Sequence, residues 1–167
     1  MSPTKTTLWD FAGVDGLELA SVVFGSAACK LSVYQSLETQ YSGLDCSLLR
    51  LSENNFRVGV QGQSESLAEA LNTAAAGKRV WVKQSTLTRL ALSEGAQETL
   101  LNISTVKPPH RLAGLPNNRA VPVRIDDFAA LVWRHRTIFE VQTAQSCDDN
   151  SISPLPLTAL LAFAEPH

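Results

Sequence analysis

Three residues with the chemistry for acid–base catalysis or metal binding lie near one another in the last third of the sequence. Asp126 and Asp127 are adjacent, and His135 follows them after an apolar run. Carboxylates together with an imidazole can hold a metal ion or transfer protons. Adjacent residues on a β-strand point to opposite faces, however, so these two carboxylates would not share a ligand. We therefore expect the acids to begin a strand or cap a short helix, and His135 to be half-buried with its hydrogen bonds satisfied.

Two other short motifs are typical of catalysis, and both are incomplete. Ser64 lies between an expected strand and an expected helix, as the serine of a nucleophile elbow does, but Ser66 stands where the Gly-x-Ser-x-Gly motif needs glycine. Lys78 follows Gly77 as in a phosphate-binding loop, but Asn72 replaces the earlier glycine of that loop. The sequence therefore predicts no catalytic residue, no metal site and no cofactor, and hence a protein that is not an enzyme.

The stretch 131–141, LVWRHRTIFEV, sets a tryptophan, two arginines and a histidine side by side. Its β-branched and aromatic residues favour one continuous strand over a helix. Side chains alternate on a strand, so Trp133 and His135 point to one face while Arg134 and Arg136 point to the other. The four residues therefore do not converge on one ligand, and the two arginines form a small positive strip.

The charge of the chain is unevenly distributed along its length. Residues 78–136 hold ten of the 14 Lys and Arg residues against four acids, and the segments on either side hold the other acids. A basic middle between acidic ends indicates an anionic partner or a fit between copies of the chain. The candidate partner- or anion-binding residues are Lys107, Arg111, Arg119, Arg124, Arg134 and Arg136.

Nucleic acid is the alternative partner for this basic region, because its binding depends on positive charge and on stacking surfaces. Trp81, Trp133 and His110 are the available stacking side chains. No recognised RNA- or DNA-binding motif accompanies them, and the net charge of the chain is −2.

The elements that would position these residues can be read from local patterns. Two alternating apolar runs around 52–55 (SENN) predict a β-hairpin, with Phe56, Val58 and Val60 on one face. Residues 64–77 predict the one well-defined helix, closed by glycine and followed by a strand. The segment 17–37 predicts two strands broken near glycine, and 86–106 a second hairpin or a broken helix.

The fold class expected from these elements is α+β with a mainly antiparallel sheet. Residues 107–122 contain four prolines and predict a long Pro-rich loop, of a kind that is often functional. A length of 167 residues favours one domain over two. We expect an N-terminal arm over 1–14 and a single α+β domain over 15–150.

The C-terminal segment 151–167 concentrates apolar side chains where chain ends are usually polar. Burying each such side chain stabilises by about 1.5–3 kcal/mol, so we expect the segment to pack on its own sheet or on that of a neighbouring subunit. The side chains of this assembly tail are Leu155, Leu157, Leu160, Leu161 and Phe163.

The cellular setting can be bounded only by exclusion. No apolar run reaches the roughly 20 residues of a membrane-spanning helix, and residues 1–11 do not resemble a secretory signal. We expect a cytoplasmic protein, or part of a particle assembled there, without membrane insertion. The predicted function is a non-catalytic interaction or assembly subunit, for example of a phage or secretion-type particle. Its partners would be other protein subunits or copies of itself, and the alternative is a nucleic-acid- or anion-binding subunit using 78–136.

Overall fold

The computed structural model describes residues 6–62, 65–144 and 160–164, and the fold belongs to the predicted α+β class. The chain divides into two compact units, an N-terminal unit over Met1–Ser85 and a C-terminal unit over Thr86–Pro166. Each unit has its own five-stranded antiparallel sheet and its own cluster of buried apolar residues. The range 15–150, predicted as one domain, spans the division between the units, and the first strand occupies half of the predicted arm over 1–14.

The N-terminal unit has five strands in the order β2-β3-β4-β1-β5, with antiparallel neighbours throughout. Its helices pack on one face of this sheet, where they cover a cluster that includes Phe11, Phe56 and Val58. The elements in chain order are β1 (Thr6–Ala12), α1 (Gly16–Phe24), a 3₁₀ turn (Ser26–Lys30), β2 (Ser36–Tyr41), β3 (Leu44–Ser52), β4 (Asn55–Gln61), α2 (Glu65–Ala75) and β5 (Trp81–Gln84).

Helix α1 stands where the sequence analysis expected a strand, and that expectation is wrong. Leu19 and Ala20 are fully buried, while Val22 is exposed on the other side of the helix. Gly16 is also buried, so the buried positions recur at helical spacing. Tertiary packing of this stripe overrides the strand preference of the valines. The predicted break at Gly25 is present, with a positive φ of 94°.

The hairpin and the helix predicted over 64–77 are confirmed. Strands β3 and β4 pair directly, and α2 ends before Gly77, whose φ of 76° is the left-handed conformation expected at a helix end. Helix α2 begins at Glu65, so Ser66 lies inside it. Leu49 is buried on the face opposite Phe56, so both faces of this hairpin hold apolar residues.

The C-terminal unit has five strands in the order β6-β10-β9-β8-β7, again antiparallel. The segment 86–106 is neither a hairpin nor one broken helix, because a strand is followed by a helix there. The elements in chain order are β6 (Thr88–Leu92), a 3₁₀ turn (Glu94–Ala96), α3 (Gln97–Ile103), β7 (Ser104–Thr105), β8 (Arg119–Ile125), β9 (Phe128–His135), β10 (Ile138–Thr143) and a 3₁₀ turn (Leu161–Phe163).

The stretch predicted as one strand over 131–141 is a hairpin. Arg136 and Thr137 have φ of 53° and 61°, the left-handed values of a two-residue turn, and β10 folds back on β9. Because the chain reverses direction at this turn, Phe139 becomes the cross-strand partner of Arg134, and Glu140 becomes that of Trp133. The sequence contains neither Asn nor Gly at the turn, so the usual hairpin signal is absent.

The Pro-rich region contains irregular chain and the start of a strand. The residues before Arg119 form turns, and two of their side chains, Leu112 and Leu115, are buried in the core cluster of the unit. Pro122 lies inside β8, opposite Leu131. Strand β7 pairs only with the far end of β8, so Pro122 stands where β8 is an edge strand and no backbone donor is needed.

Part of the apolar C-terminal segment packs within its own unit. Leu160 is fully buried in the core cluster, and the Phe163 carbonyl accepts a hydrogen bond of 2.8 Å from the Ser93 N–H. Ala164 forms an isolated antiparallel bridge with Leu92. Leu155 and Leu157 lie outside the described residues, as does the Leu161 side chain.

Candidate functional site

A buried cluster of charged and polar side chains lies on one face of the C-terminal sheet. At its centre is Glu140, whose carboxylate is bound by the Arg89 guanidinium at 2.7 and 2.8 Å. His135 Nε2 lies 3.0 Å from the same carboxylate, and Gln142 Nε2 donates to it as well. We call these four residues the Glu140 cluster.

Three neighbouring strands position the cluster. Strand β10 carries Glu140 and Gln142 two residues apart on one face, between β6 with Arg89 and β9 with His135. Arg89 pairs with Gln142, and His135 pairs with Ile138, so both reach Glu140 along the diagonal. The cluster therefore depends on the β9–β10 turn, because only this reversal of the chain brings Glu140 next to His135.

The electrostatics of the cluster favour an ionised carboxylate. Burial by itself would raise the pKa of Glu140, but the hydrogen bonds from His135 and Arg89 outweigh it and hold this pKa well below its ordinary value. An ionised carboxylate only accepts hydrogen bonds, so His135 Nε2 must carry the proton that it donates.

The Glu140 carboxylate has no capacity left for another ligand. Oε1 accepts from Arg89 Nη2 and from His135, while Oε2 accepts from Arg89 Nε and from Gln142. Two carboxylate oxygens offer about four acceptor positions, and four donors occupy them. A metal ion or a substrate proton would first have to displace one of these donors. The cluster therefore has the features of a structural ion-pair network.

Trp133 extends the cluster along β9. Its ring stacks on that of His135, with the ring centroids 3.8 Å apart and the planes inclined by 20°. The Trp133 side chain is fully buried, so it is not available to stack on a nucleic-acid base. Trp81, the other predicted stacking tryptophan, is 52% exposed and belongs to the N-terminal unit.

Asp126 and Asp127 do not approach His135. The two acids form the exposed turn between β8 and β9, and His135 is buried at the other end of β9. At about 3.3 Å per residue, the length of β9 separates the acids from the imidazole by about 25 Å. Among the residues that the structure describes, no group of three or more His, Cys, Asp or Glu side chains is arranged to hold a metal ion.

The predicted basic residues occupy separate parts of the C-terminal unit. Lys107 and Arg111 are exposed in the irregular chain before β8, and Arg124 is exposed near the end of that strand. Arg119 pairs across the sheet with Arg134, while Arg136 lies in the β9–β10 turn. Their role in binding an anion or a protein partner stays a prediction.

Arg134 makes contacts that hold the unit together. Its guanidinium donates to the Leu115 carbonyl at 2.7 Å and to Glu94 at 2.8 Å, and it lies over the Phe139 ring at 5.2 Å. These contacts fix the irregular chain and the 3₁₀ turn before α3 against β9. Arg134 is therefore engaged within the protein, and it does not form the expected positive strip together with Arg136.

Arg89 and Glu140 were not predicted from the sequence as a pair. The single long strand expected over 131–141 placed Glu140 on the face of the arginines at 134 and 136, because it contained no turn. A usable signal was nevertheless present, since each of the two residues interrupts a short apolar run, LTRLAL and IFEV. Charged residues inside such runs are rarely buried without a partner of opposite charge.

Two solved structures share the fold of this chain at low sequence identity. No family model and no curated protein matches the chain. The glycine cleavage system aminomethyltransferase T from Bartonella henselae matches 94% of the chain with a TM-score of 0.68 and 18% identity, and the chain spans 42% of that protein. A chain of the heterotetrameric sarcosine oxidase from Corynebacterium sp. U-96, in complex with pyrrole 2-carboxylate, matches 99% with a TM-score of 0.66, and 84% of it is covered at 18% identity. Likeness at this identity establishes the fold.

These neighbours overturn the function predicted from the sequence. Both are enzymes or parts of enzymes, so the prediction of a non-catalytic assembly subunit of a phage or secretion-type particle is wrong. That prediction relied on the absence of a catalytic motif, which does not distinguish a particle component from a component of an enzyme. The neighbours give no support to the nucleic-acid alternative either.

None of the helices in 6–62, 65–144 and 160–164 is long and apolar enough to cross a membrane.

Proposed function

We propose that the chain is a subunit of a hetero-oligomeric enzyme, of the kind represented by heterotetrameric sarcosine oxidase. The observation that carries the proposal is the near end-to-end correspondence with one chain of that enzyme, 99% of this chain and 84% of the other. The correspondence therefore extends over nearly all of this chain and over most of the sarcosine oxidase chain.

The second neighbour is consistent with a need for partners. This chain spans 42% of the aminomethyltransferase, so more than half of that enzyme has no counterpart in the 167 residues of this chain. The Glu140 cluster also offers no open acceptor position to a substrate, because four donors from this chain already bind its carboxylate. We propose that the isolated chain does not oxidise sarcosine.

The proposal is tested by purifying an affinity-tagged full-length chain from its source cells and measuring the mass of the assembly by native mass spectrometry. We expect a stable assembly of this chain with different, larger subunits, and amine oxidation with sarcosine as the first substrate to assay. A chain that purifies alone, or only with copies of itself, would contradict the proposal.

A further inference from the structure

Strand β5 lies at an edge of the N-terminal sheet and carries a mixed apolar and basic surface. Val14 and Trp81 are 62% and 52% exposed, although both are large apolar residues. Arg79, whose side chain is 75% exposed, and Lys83 flank the tryptophan. The Asp15 N–H donates to the Arg79 carbonyl at 3.3 Å, which brings the loop of Val14 beside the start of β5. We call Val14, Arg79, Trp81 and Lys83 the β5 patch.

One side of β5 has backbone groups that no described strand uses. The Ser85 N–H donates to the Leu8 carbonyl at 2.9 Å, and the register continues from this pair into β1 and β5. Alternate residues of an antiparallel strand face the same neighbour, so Lys83 and Trp81 bond with β1. Val82 and Gln84 therefore direct their N–H and C=O groups away from β1, towards the edge.

The charge of the patch is only partly neutralised. Asp10 lies opposite Lys83 in the register, but its carboxylate is bound by Arg57 at 2.7 and 3.1 Å. Among the described residues, Lys83 has no ion-pair partner. Arg79 approaches Asp15 at 3.6 Å with most of its side chain still exposed. The edge therefore offers positive charge on both sides of an exposed indole ring.

We propose that β5 receives an extended acidic segment of a partner subunit, which adds to the sheet as a sixth strand. The open backbone groups would bind the main chain of the segment, and the indole would pack on an apolar side chain. Lys83 and Arg79 would pair with its carboxylates. The inference rests on the proposed function, because it identifies where the hetero-oligomeric enzyme holds this chain.

The decisive comparison is between two substitutions at Gln84. Gln84→Pro removes an N–H that faces the edge and leaves the bonds with β1, whereas Gln84→Ala keeps that N–H. Each variant is tagged, expressed as the full-length chain in the source cells and purified, and the recovered partner is quantified by mass spectrometry. We expect Gln84→Pro and Lys83→Glu to lower partner recovery at least tenfold, and Gln84→Ala and the exposed control Val22→Ala to leave it unchanged.

A cross-link locates the contact directly. A carbodiimide joins an amine to a carboxylate in direct contact, so the purified assembly should yield a peptide linking Lys83 to an Asp or Glu of the partner.

Circular dichroism and thermal unfolding of the purified chain check that the variants fold. If Gln84→Pro does not fold, Lys83→Glu and the cross-link test the proposal. Normal partner recovery with folded Gln84→Pro, or with Lys83→Glu, would overturn the docking edge while leaving the proposed function intact. A wild-type chain that purifies alone would overturn both.

Discussion

At the scale of single residues, the Glu140 carboxylate is a buried charge with several hydrogen-bond partners. Glu140 is ionised in a place where water cannot solvate it, and three side chains supply the compensating hydrogen bonds. A buried charge of this kind stabilises the fold only while every partner is present. The surface ion pair between Arg134 and Glu94 is of a different kind, because the Glu94 side chain is 57% exposed.

Replacing Glu140 with glutamine should destabilise the protein strongly. The substitution keeps the shape of the side chain but leaves the partly buried Arg89 guanidinium without its counter-charge. Loss of one partner from a buried pair costs about 3–5 kcal/mol of unfolding free energy. The matched control is Glu94→Gln at the exposed pair, which should cost about 0–1 kcal/mol. Urea unfolding of both variants measures the difference, and equal losses would contradict this account.

The lowered pKa of Glu140 also makes the stability of the protein depend on pH. The folded-state pKa of Glu140 lies below its unfolded value, which is about 4.3 for a free glutamate. Its contribution is therefore complete above about pH 5 and decreases as the pH falls towards the folded-state pKa. The pKa of Asp15 is lowered too, chiefly by the backbone N–H of Arg79, so this group acts in the same direction.

Urea midpoints measured between pH 7 and pH 3 check this expectation. The wild-type midpoint should be nearly constant at the upper end and should decrease below about pH 4–5. In Glu140→Gln the decrease should be smaller, because the titrating group is absent. A variant with the acid sensitivity of the wild type would show that other carboxylates dominate.

At the scale of elements, some helices and strands follow from local sequence signals, and others depend on tertiary packing. The β3–β4 hairpin and α2 were predictable, because alternation, helical spacing and Gly77 are all local signals. Helix α1 was not, since the preference of its valines for strands hides the spacing of Leu19 and Ala20.

The candidate site was largely beyond sequence reasoning for a related reason. Arg89 and Glu140 are distant in sequence, and they meet only because β10 pairs with both β6 and β9. That pairing depends on a turn made by Arg136 and Thr137 in a conformation that neither residue favours. The strand character of Trp133 and His135 was predictable from their alternation, and it correctly placed both side chains on one face.

Substituting alanine for Gly16 should destabilise α1 where it meets the sheet. A Cβ at this position would lie 2.0 Å from the Asn54 carbonyl oxygen, which is backbone and cannot rotate away. The resulting displacement should cost about 1–3 kcal/mol in spite of the better helix propensity of alanine. The control is Val22→Ala on the exposed side of α1, expected within about 0.5 kcal/mol of wild type. Thermal unfolding compares the two, and a stabilised Gly16→Ala protein would contradict the close packing.

At the scale of the whole molecule, the chain consists of two α+β units that each bury an apolar cluster of their own. The cluster of the C-terminal unit draws on residues far apart in sequence, from Leu92 to Leu160. Of the apolar tail, Leu160 lies in this cluster and Phe163 packs against it.

Shortening Leu160 to alanine should therefore weaken the C-terminal unit. The side chain is fully buried, and truncation of a buried leucine costs about 2–5 kcal/mol through lost contacts and the cavity left behind. Leu101, partly exposed on α3, provides the control, and Leu101→Ala should have a smaller effect. Hydrogen exchange of the β6 amides reports the loss locally, and unchanged protection there in Leu160→Ala would contradict the assignment.

The bridge between Ala164 and Leu92 also suggests a use for the protein in the laboratory. Scission of the backbone at an engineered protease site within 145–159 would remove the covalent link to the last residues. Among the contacts of the described residues, the Leu160 and Phe163 side chains and two backbone pairings would then hold them. A contact within one molecule would then become an association between two, and its occupancy would depend on concentration. The separated pieces should recombine when mixed at high concentration and come apart on dilution, so the pair would serve as a fragment-complementation reporter.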